Sequence, residues 1–185
     1  ILTGTMVSLA LFTSCAQQKS VNLIPQPQQM VVEKGSFTFD NNVSIVGNSQ
    51  FEIDFLKGKL SASAGIELKD AQDGAKTVEI NVDPSMDIKK EGYTLNVTPD
   101  RIKICASDKA GAFYGVQTLL QLMPEGIYSK EKVVGKISVP CVSIEDAPRF
   151  GYRGAGLDVS RTFFPLETIY DMLDWISYHK LNKFH

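Results

Sequence analysis

The sequence is poor in the residues that build metal centres and cross-links, with three cysteines and two histidines among 185 residues. No Cys-x-x-Cys spacing occurs, and His179 and His185 stand apart from every cysteine, so neither a metal site nor a cofactor is expected. Charge of one sign is also scarce. Lys and Arg total 19 against 21 Asp and Glu, a net charge of -2, which excludes the basic footprint of a nucleic-acid binder and favours a neutral substrate. Long apolar runs are missing outside residues 1–14, and that uncharged stretch is too short to span a bilayer.

Residues 1–14 instead have the character of a signal-peptide core, because they end abruptly at Cys15 and the polar run Ala16-Gln17-Gln18-Lys19-Ser20. Leu11-Phe12-Thr13-Ser14-Cys15 resembles a bacterial lipobox, which implies lipidation of Cys15 and a membrane tether on an exported lipoprotein of the periplasm or outer membrane. A buried N-terminal helix and a plain secretory signal are the alternatives. The basic start of such a signal is not seen, and Ile1 is no initiator, so a few residues are expected to precede it. Cys105 and Cys141 are expected to be small buried thiols, although an export route permits a disulfide.

Beyond residue 20 the pattern predicts an α+β domain over residues 21–143. Leu23-Ile24-Pro25-Gln26-Pro27 is an extended lead-in, since proline forbids helix and restricts its predecessor. Short strands are predicted at residues 29–32, 36–39 and 43–46, separated by Lys34-Gly35 and Asp40-Asn41-Asn42. Phe51, Phe55, Leu56 and Leu60 recur at helical spacing and predict an amphipathic helix ending near Gly65. Val78, Ile80 and Val82 alternate, as do Tyr93, Leu95 and Val97, and Thr98-Pro99-Asp100-Arg101 is a tight turn, so residues 92–106 should be a hairpin. Ser107 or Asp108 can then cap a helix whose apolar positions are Ala112, Phe113, Val116, Leu119, Leu120 and Met123, with Pro124 beyond. That helix has an apolar face fit to cover the sheet.

A boundary is expected at residues 144–150, and the pattern then changes. One strand over residues 152–160, a helix from Pro165 to about Leu181, and a new apolar start at Lys183-Phe184-His185 read as the opening of a βα repeat. Pro165 suits a first helical turn, Glu167 complements the helix dipole, and Ile169, Met172, Leu173 and Ile176 form a stripe expected to be buried.

Three segments carry a resemblance: Asp146-Ala147-Pro148-Arg149-Phe150, then Arg153-Gly154-Ala155-Gly156-Leu157-Asp158-Val159-Ser160-Arg161, then Lys180-Leu181-Asn182-Lys183-Phe184-His185. In order and spacing they resemble the start of the catalytic domain of glycoside hydrolase family 20, the β-N-acetylhexosaminidases. Ala110-Gly111-Ala112-Phe113-Tyr114-Gly115 and the preceding hairpin look like that family's accessory domain. The resemblance implies an accessory α+β domain with helices covering its sheet, then, over residues 144–185, the first β/α unit of a (β/α)8 TIM barrel. It implies hydrolysis of terminal N-acetylglucosamine or N-acetylgalactosamine from glycans with retention, the substrate's own acetamido oxygen being the nucleophile. An Asp-Glu pair orients that acetamide and protonates the leaving oxygen in the family; the present sequence has no such dipeptide, so no catalytic residue is assigned here and the chain alone is expected to be inactive.

One functional position of the family maps onto this sequence: the arginine closing the first barrel strand matches Arg161, implied to hydrogen-bond the 3- and 4-hydroxyls of the terminal sugar. Strand C-terminal ends face the active site in such barrels, and Arg161 lies at that end whereas Arg153 lies at the other. Asp158 is expected to be buried, paired and able to orient Arg161. Thr162 stands where the family often has histidine. His185 and Trp175 are expected to pack and His179 to be exposed. Two other readings stay open: a glycan-binding surface lipoprotein without catalysis, and another barrel glycosidase of α-glucuronidase or family 84 type. A lone βα unit argues against the binding module, because it exposes a strand edge and an apolar helix face. That exposure also predicts aggregation unless the chain is cut near Ser143.

Overall fold

The computed structural model describes residues 21–70, 76–132 and 135–185. The segments expected to signal lipidation, Cys15 included, lie outside these residues. β1 (Gln29–Phe39) and β2 (Val43–Gly47) lead into α1 (Gln50–Ala64). β3 (Lys76–Val82) and the hairpin β4 (Tyr93–Val97) and β5 (Arg101–Ala106) precede α2 (Lys109–Gln121). A 3₁₀ turn, Glu125–Tyr128, then returns the chain to β6 (Ile137–Asp146). These strands form one sheet of six in the order β1-β6-β4-β5-β3-β2. The β2–β3 and β3–β5 pairs are parallel and the rest antiparallel.

Alternation divides the sheet into two faces. Val78, Ile80, Tyr93, Leu95, Val97, Ile102 and Ile104 are all buried, while their neighbours Asn96 and Lys103 are exposed. Both helices pack on the apolar face. α2 contributes Ala112, Val116, Leu119 and Leu120, and Gly115 lets it approach closely, since a Cβ there would sit 2.7 Å from Ile104 Cγ2. Asp108 caps this helix by accepting from Gly111 N at 2.8 Å. α1 buries Ile53, Leu56 and Leu60 and ends at Gly65. Its apolar stripe is rotated from the one expected: Phe51 is exposed, and with Phe55 it packs its ring toward Phe113 of α2.

Two features of the sheet differ from the sequence reading. Lys34-Gly35 is not a turn between strands but a bulge inside β1, where Val32 pairs with Val142 and Ser36 with Pro140. Gly35 has φ +109°, and Cys141 Sγ lies 3.3 Å from where its Cβ would be, so the bulge requires glycine. β6 itself was hidden by Pro140 and by the adjacent buried pair Cys141 and Val142, which break the alternation. The proline is tolerated because β4 runs alongside β6 only at Val142 and beyond. β6 continues past Ser143 with Ile144 in the core and ends at Asp146, so the first three residues of the expected boundary, 144–146, belong to the strand. Cys105 and Cys141 are both free and buried.

After residue 147 the order is β7 (Gly154–Ala155), α3 (Leu166–Tyr178) and β8 (Lys183–Phe184), with β7 and β8 parallel. The strand expected over residues 152–160 is therefore confined to Gly154–Ala155, extended by Leu157 N donating to His185 O at 2.8 Å. A strand persists only where a partner ladder exists, and β8 offers Lys183 and Phe184 alone. α3 starts after Pro165 as expected but stops short of Leu181, because Lys180 turns into the left-handed region at φ 58° and Leu181 N bonds back to Ile176 O. Its stripe is only partly covered: Ile176 is buried, Ile169 and Met172 are half-buried, and Leu173 is exposed. Among the described residues no helix is long and apolar enough to cross a membrane.

Candidate functional site

The segment following β7 carries the predicted substrate residue. Asp158 Oδ1 accepts from Ser160 N at 2.9 Å and from Ser160 Oγ at 2.6 Å, a local turn that fixes the carboxylate. Its other oxygen accepts from Arg161, with Nε and Nη2 each at 2.8 Å. Hydrogen bonds from Ser160, and then from Arg161, hold the Asp158 carboxyl below its ordinary pKa, so it stays anionic beside the guanidinium. Asp158 is therefore paired with Arg161, but it is exposed rather than buried. Apolar Leu157 and Val159 pointed to an interior strand, yet no partner element covers this stretch among the described residues, and Val159 itself is exposed. The Arg161 side chain is 88% exposed and occupies the C-terminal side of β7. With one edge of the guanidinium held by Asp158, its opposite edge presents fixed donors outward.

His185 is exposed rather than packed, and its Nε2 lies 2.6 Å from the Tyr152 hydroxyl. His179 is exposed, with Nδ1 2.8 Å from Trp175 O. Trp175, expected to pack, is 69% exposed.

The N-terminal end of β7 holds a polar cluster that sequence reasoning did not assemble. Arg153 Nη2 donates to Glu91 Oε2 at 2.6 Å and to the Tyr114 hydroxyl at 2.8 Å. Its Nε donates to Lys180 O at 2.9 Å and its Nη1 to Phe150 O at 2.7 Å. Beside it the buried Lys180 Nζ donates to the Tyr93 hydroxyl at 2.8 Å and lies 3.3 Å from Asp146 Oδ2. Burial lowers the Lys180 pKa, opposed by the Asp146 charge. Burial raises that of Tyr93, and Asp146 adds to it, so the phenol remains a hydrogen-bond donor. These partners are far apart in the sequence, and Asp146 sat in the expected linker; the one local hint was charged residues set among apolar ones.

Comparison with known proteins agrees with this architecture. The family model described as glycosyl hydrolase family 20, domain 2, matches residues 20–147, and that of the family 20 catalytic domain matches residues 150–185. A β-hexosaminidase from Porphyromonas gingivalis is 37% identical over 174 residues, covering 90% of this chain and 22% of the relative. One from Vibrio vulnificus is 37% identical over 176 residues, covering 92% and 19%. Among solved structures, the GH20 β-N-acetylhexosaminidase of Streptomyces coelicolor A3(2) aligns with a TM-score of 0.80 at 29% identity, covering 88% of this chain and 34% of that one. The GH20 exo-β-N-acetylglucosaminidase of Vibrio harveyi, in complex with N-acetylglucosamine, aligns at 0.72 and 30% identity, covering 88% and 25%. The chain spans about a fifth of the length of the two curated relatives. With the six-stranded sheet matching one module of this group and the β7–α3–β8 unit falling within the next, the chain belongs to glycosyl hydrolase family 20.

Proposed function

We propose that the protein carrying this chain is a β-N-acetylhexosaminidase that removes terminal N-acetylglucosamine or N-acetylgalactosamine from glycans by a retaining, substrate-assisted reaction. The observation that carries the reading is the succession of two family 20 modules along one chain, in register with relatives named β-hexosaminidase. In this reading β7, α3 and β8 open an eight-fold barrel, and the segment after β7 belongs to its active-site rim.

Arg161 supplies sugar recognition. A guanidinium restrained by Asp158 offers coplanar donors to two adjacent hydroxyls, which suits a neutral, polyhydroxylated ligand better than a mobile lysine would. The acid that protonates the leaving oxygen and the aspartate that orients the acetamide come from outside this chain. Cys15, within its lipobox-like segment, tethers the enzyme to a membrane as an exported lipoprotein. The glycan-binding and other-barrel alternatives gain nothing from the family match.

The test is turnover by the full-length protein. It should release nitrophenol from a 4-nitrophenyl N-acetyl-β-glucosaminide and leave the matching β-glucoside, which lacks the acetamido nucleophile, essentially untouched. Equal cleavage of both substrates, or of neither, would overturn the assignment.

A further inference from the structure

We infer that the accessory sheet domain is a positioning element for the first two barrel strands, acting through Arg153 and Lys180 as positioning residues. The inference builds on the proposed function, because it takes β7 and β8 as barrel strands. Their own ladder is short, two residues on each strand, and a short ladder specifies register weakly. Arg153 supplies what the ladder lacks. Its main-chain N donates to Asn182 Oδ1 at 3.0 Å, and its carbonyl accepts from Asn182 N at 2.7 Å and Lys183 N at 3.1 Å, so both strand starts are joined at one residue. Its guanidinium then ties that junction to Glu91 and Tyr114 of the accessory domain.

Backbone conformation points the same way. Among the described residues the non-glycine positions with positive φ are Glu91, at 59°, and Lys180, at 58°. Both belong to this cluster, one on each side of the domain junction. Such conformations persist where surrounding contacts over-determine them. Glu91 is held by its own N–H donating to Asp108 Oδ2 at 2.9 Å, the same carboxylate that caps α2. Lys180 is held by Tyr93 and Asp146, and Tyr93 is anchored in turn to Thr118, with the two hydroxyl oxygens 2.6 Å apart. The α2–sheet unit is thereby connected by directional bonds to the backbone at the floor of the barrel, beside the apolar contacts that bury Ile176 and bring the Tyr128 and Tyr178 rings to 4.6 Å between centroids. Gln121 of α2 extends the attachment by donating to Tyr178 O at 3.1 Å.

The experiment reads position rather than folding. In the full-length protein, Glu91→Ala should speed amide exchange at residues 155–157 and 183–185 by roughly ten-fold or more, while the accessory core stays protected. With active sites counted by a tight-binding N-acetylglucosamine analogue, the same variant should lower kcat/KM for the chromogenic substrate by roughly ten-fold or more. Glu91→Gln, which keeps an acceptor oxygen for Arg153, should recover most of that loss. Tyr114→Phe, a milder change, should move both readouts in the same direction. Unchanged exchange at the strand starts, or a loss confined to yield and Tm with kcat and KM per active site intact, would overturn the inference. A protein that cleaves no hexosaminide would defeat the functional reading alone, since exchange decides the positioning role independently.

Discussion

The two parts of the chain, residues 21–147 and residues 150–185, are held together by opposite means. The first buries most of the large apolar side chains its sheet and helices offer, from Phe37 to Ile144. The second leaves Phe150, Phe163, Leu166, Tyr170 and Trp175 exposed and attaches through charged and phenolic side chains. The first therefore has the makings of an independent folding unit. The second has its structure specified by a neighbour on one side and leaves apolar side chains exposed on the other.

The sharpest way to break this contrast is to separate the parts. A chain ending after Ala147, rather than at Ser143 where β6 would be cut, should remain monomeric and unfold cooperatively, whereas residues 21–185 should self-associate through the uncovered α3 face. Light scattering at matched concentrations distinguishes them, and equal behaviour would remove the asymmetry. Next in size, Ile104→Ala in the accessory core should cost about 2–5 kcal/mol in denaturant unfolding, while Leu173→Ala in the isolated chain should fall within about 0.5 kcal/mol of wild type. Asp108→Ala, which removes the α2 cap and the support of Glu91, should cost about 1–2 kcal/mol.

The smallest expected effect concerns pH. Burial, with a lesser contribution from Tyr178, pushes the Tyr128 phenol up to about 12. An unfolded tyrosine titrates near 10, so the stabilisation linked to this proton is complete below about pH 10 and is lost as pH rises through the folded value. Tyr128→Phe should blunt that alkaline decline in Tm, and, since its hydroxyl has no hydrogen-bond partner among the described residues, should cost nothing at neutral pH. An unaltered alkaline limb would show that other groups govern it.

What could be read from the sequence follows the same division. The hairpin at residues 92–106, the Asp108 cap and the Gly65 stop were legible because each is set by signals within a few residues. β6 was not, because a proline and a slip in alternation masked a strand that its neighbours stabilise. The length expected of the first barrel strand and the burial expected of Asp158 failed for a related reason. Apolar residues announce a need for partners without supplying them: Leu157 bonds only through its backbone to His185 and stays half-buried, and Val159 is exposed. At the candidate site, Arg161 was singled out by the family resemblance, and Asp158, expected to be paired, does hydrogen-bond it, from an exposed position. The Arg153 and Lys180 cluster was not, since Glu91, Tyr93 and Asp146 come together only through the topology of the sheet.

The most direct measurement is kcat/KM of the full-length protein and its Arg161→Ala variant on a chromogenic N-acetyl-β-glucosaminide. Loss of charged hydrogen bonds to the sugar should lower it about ten- to a hundred-fold, the equivalent of roughly 1.5–3 kcal/mol. A variant as efficient as wild type would contradict the assignment of Arg161 to the sugar.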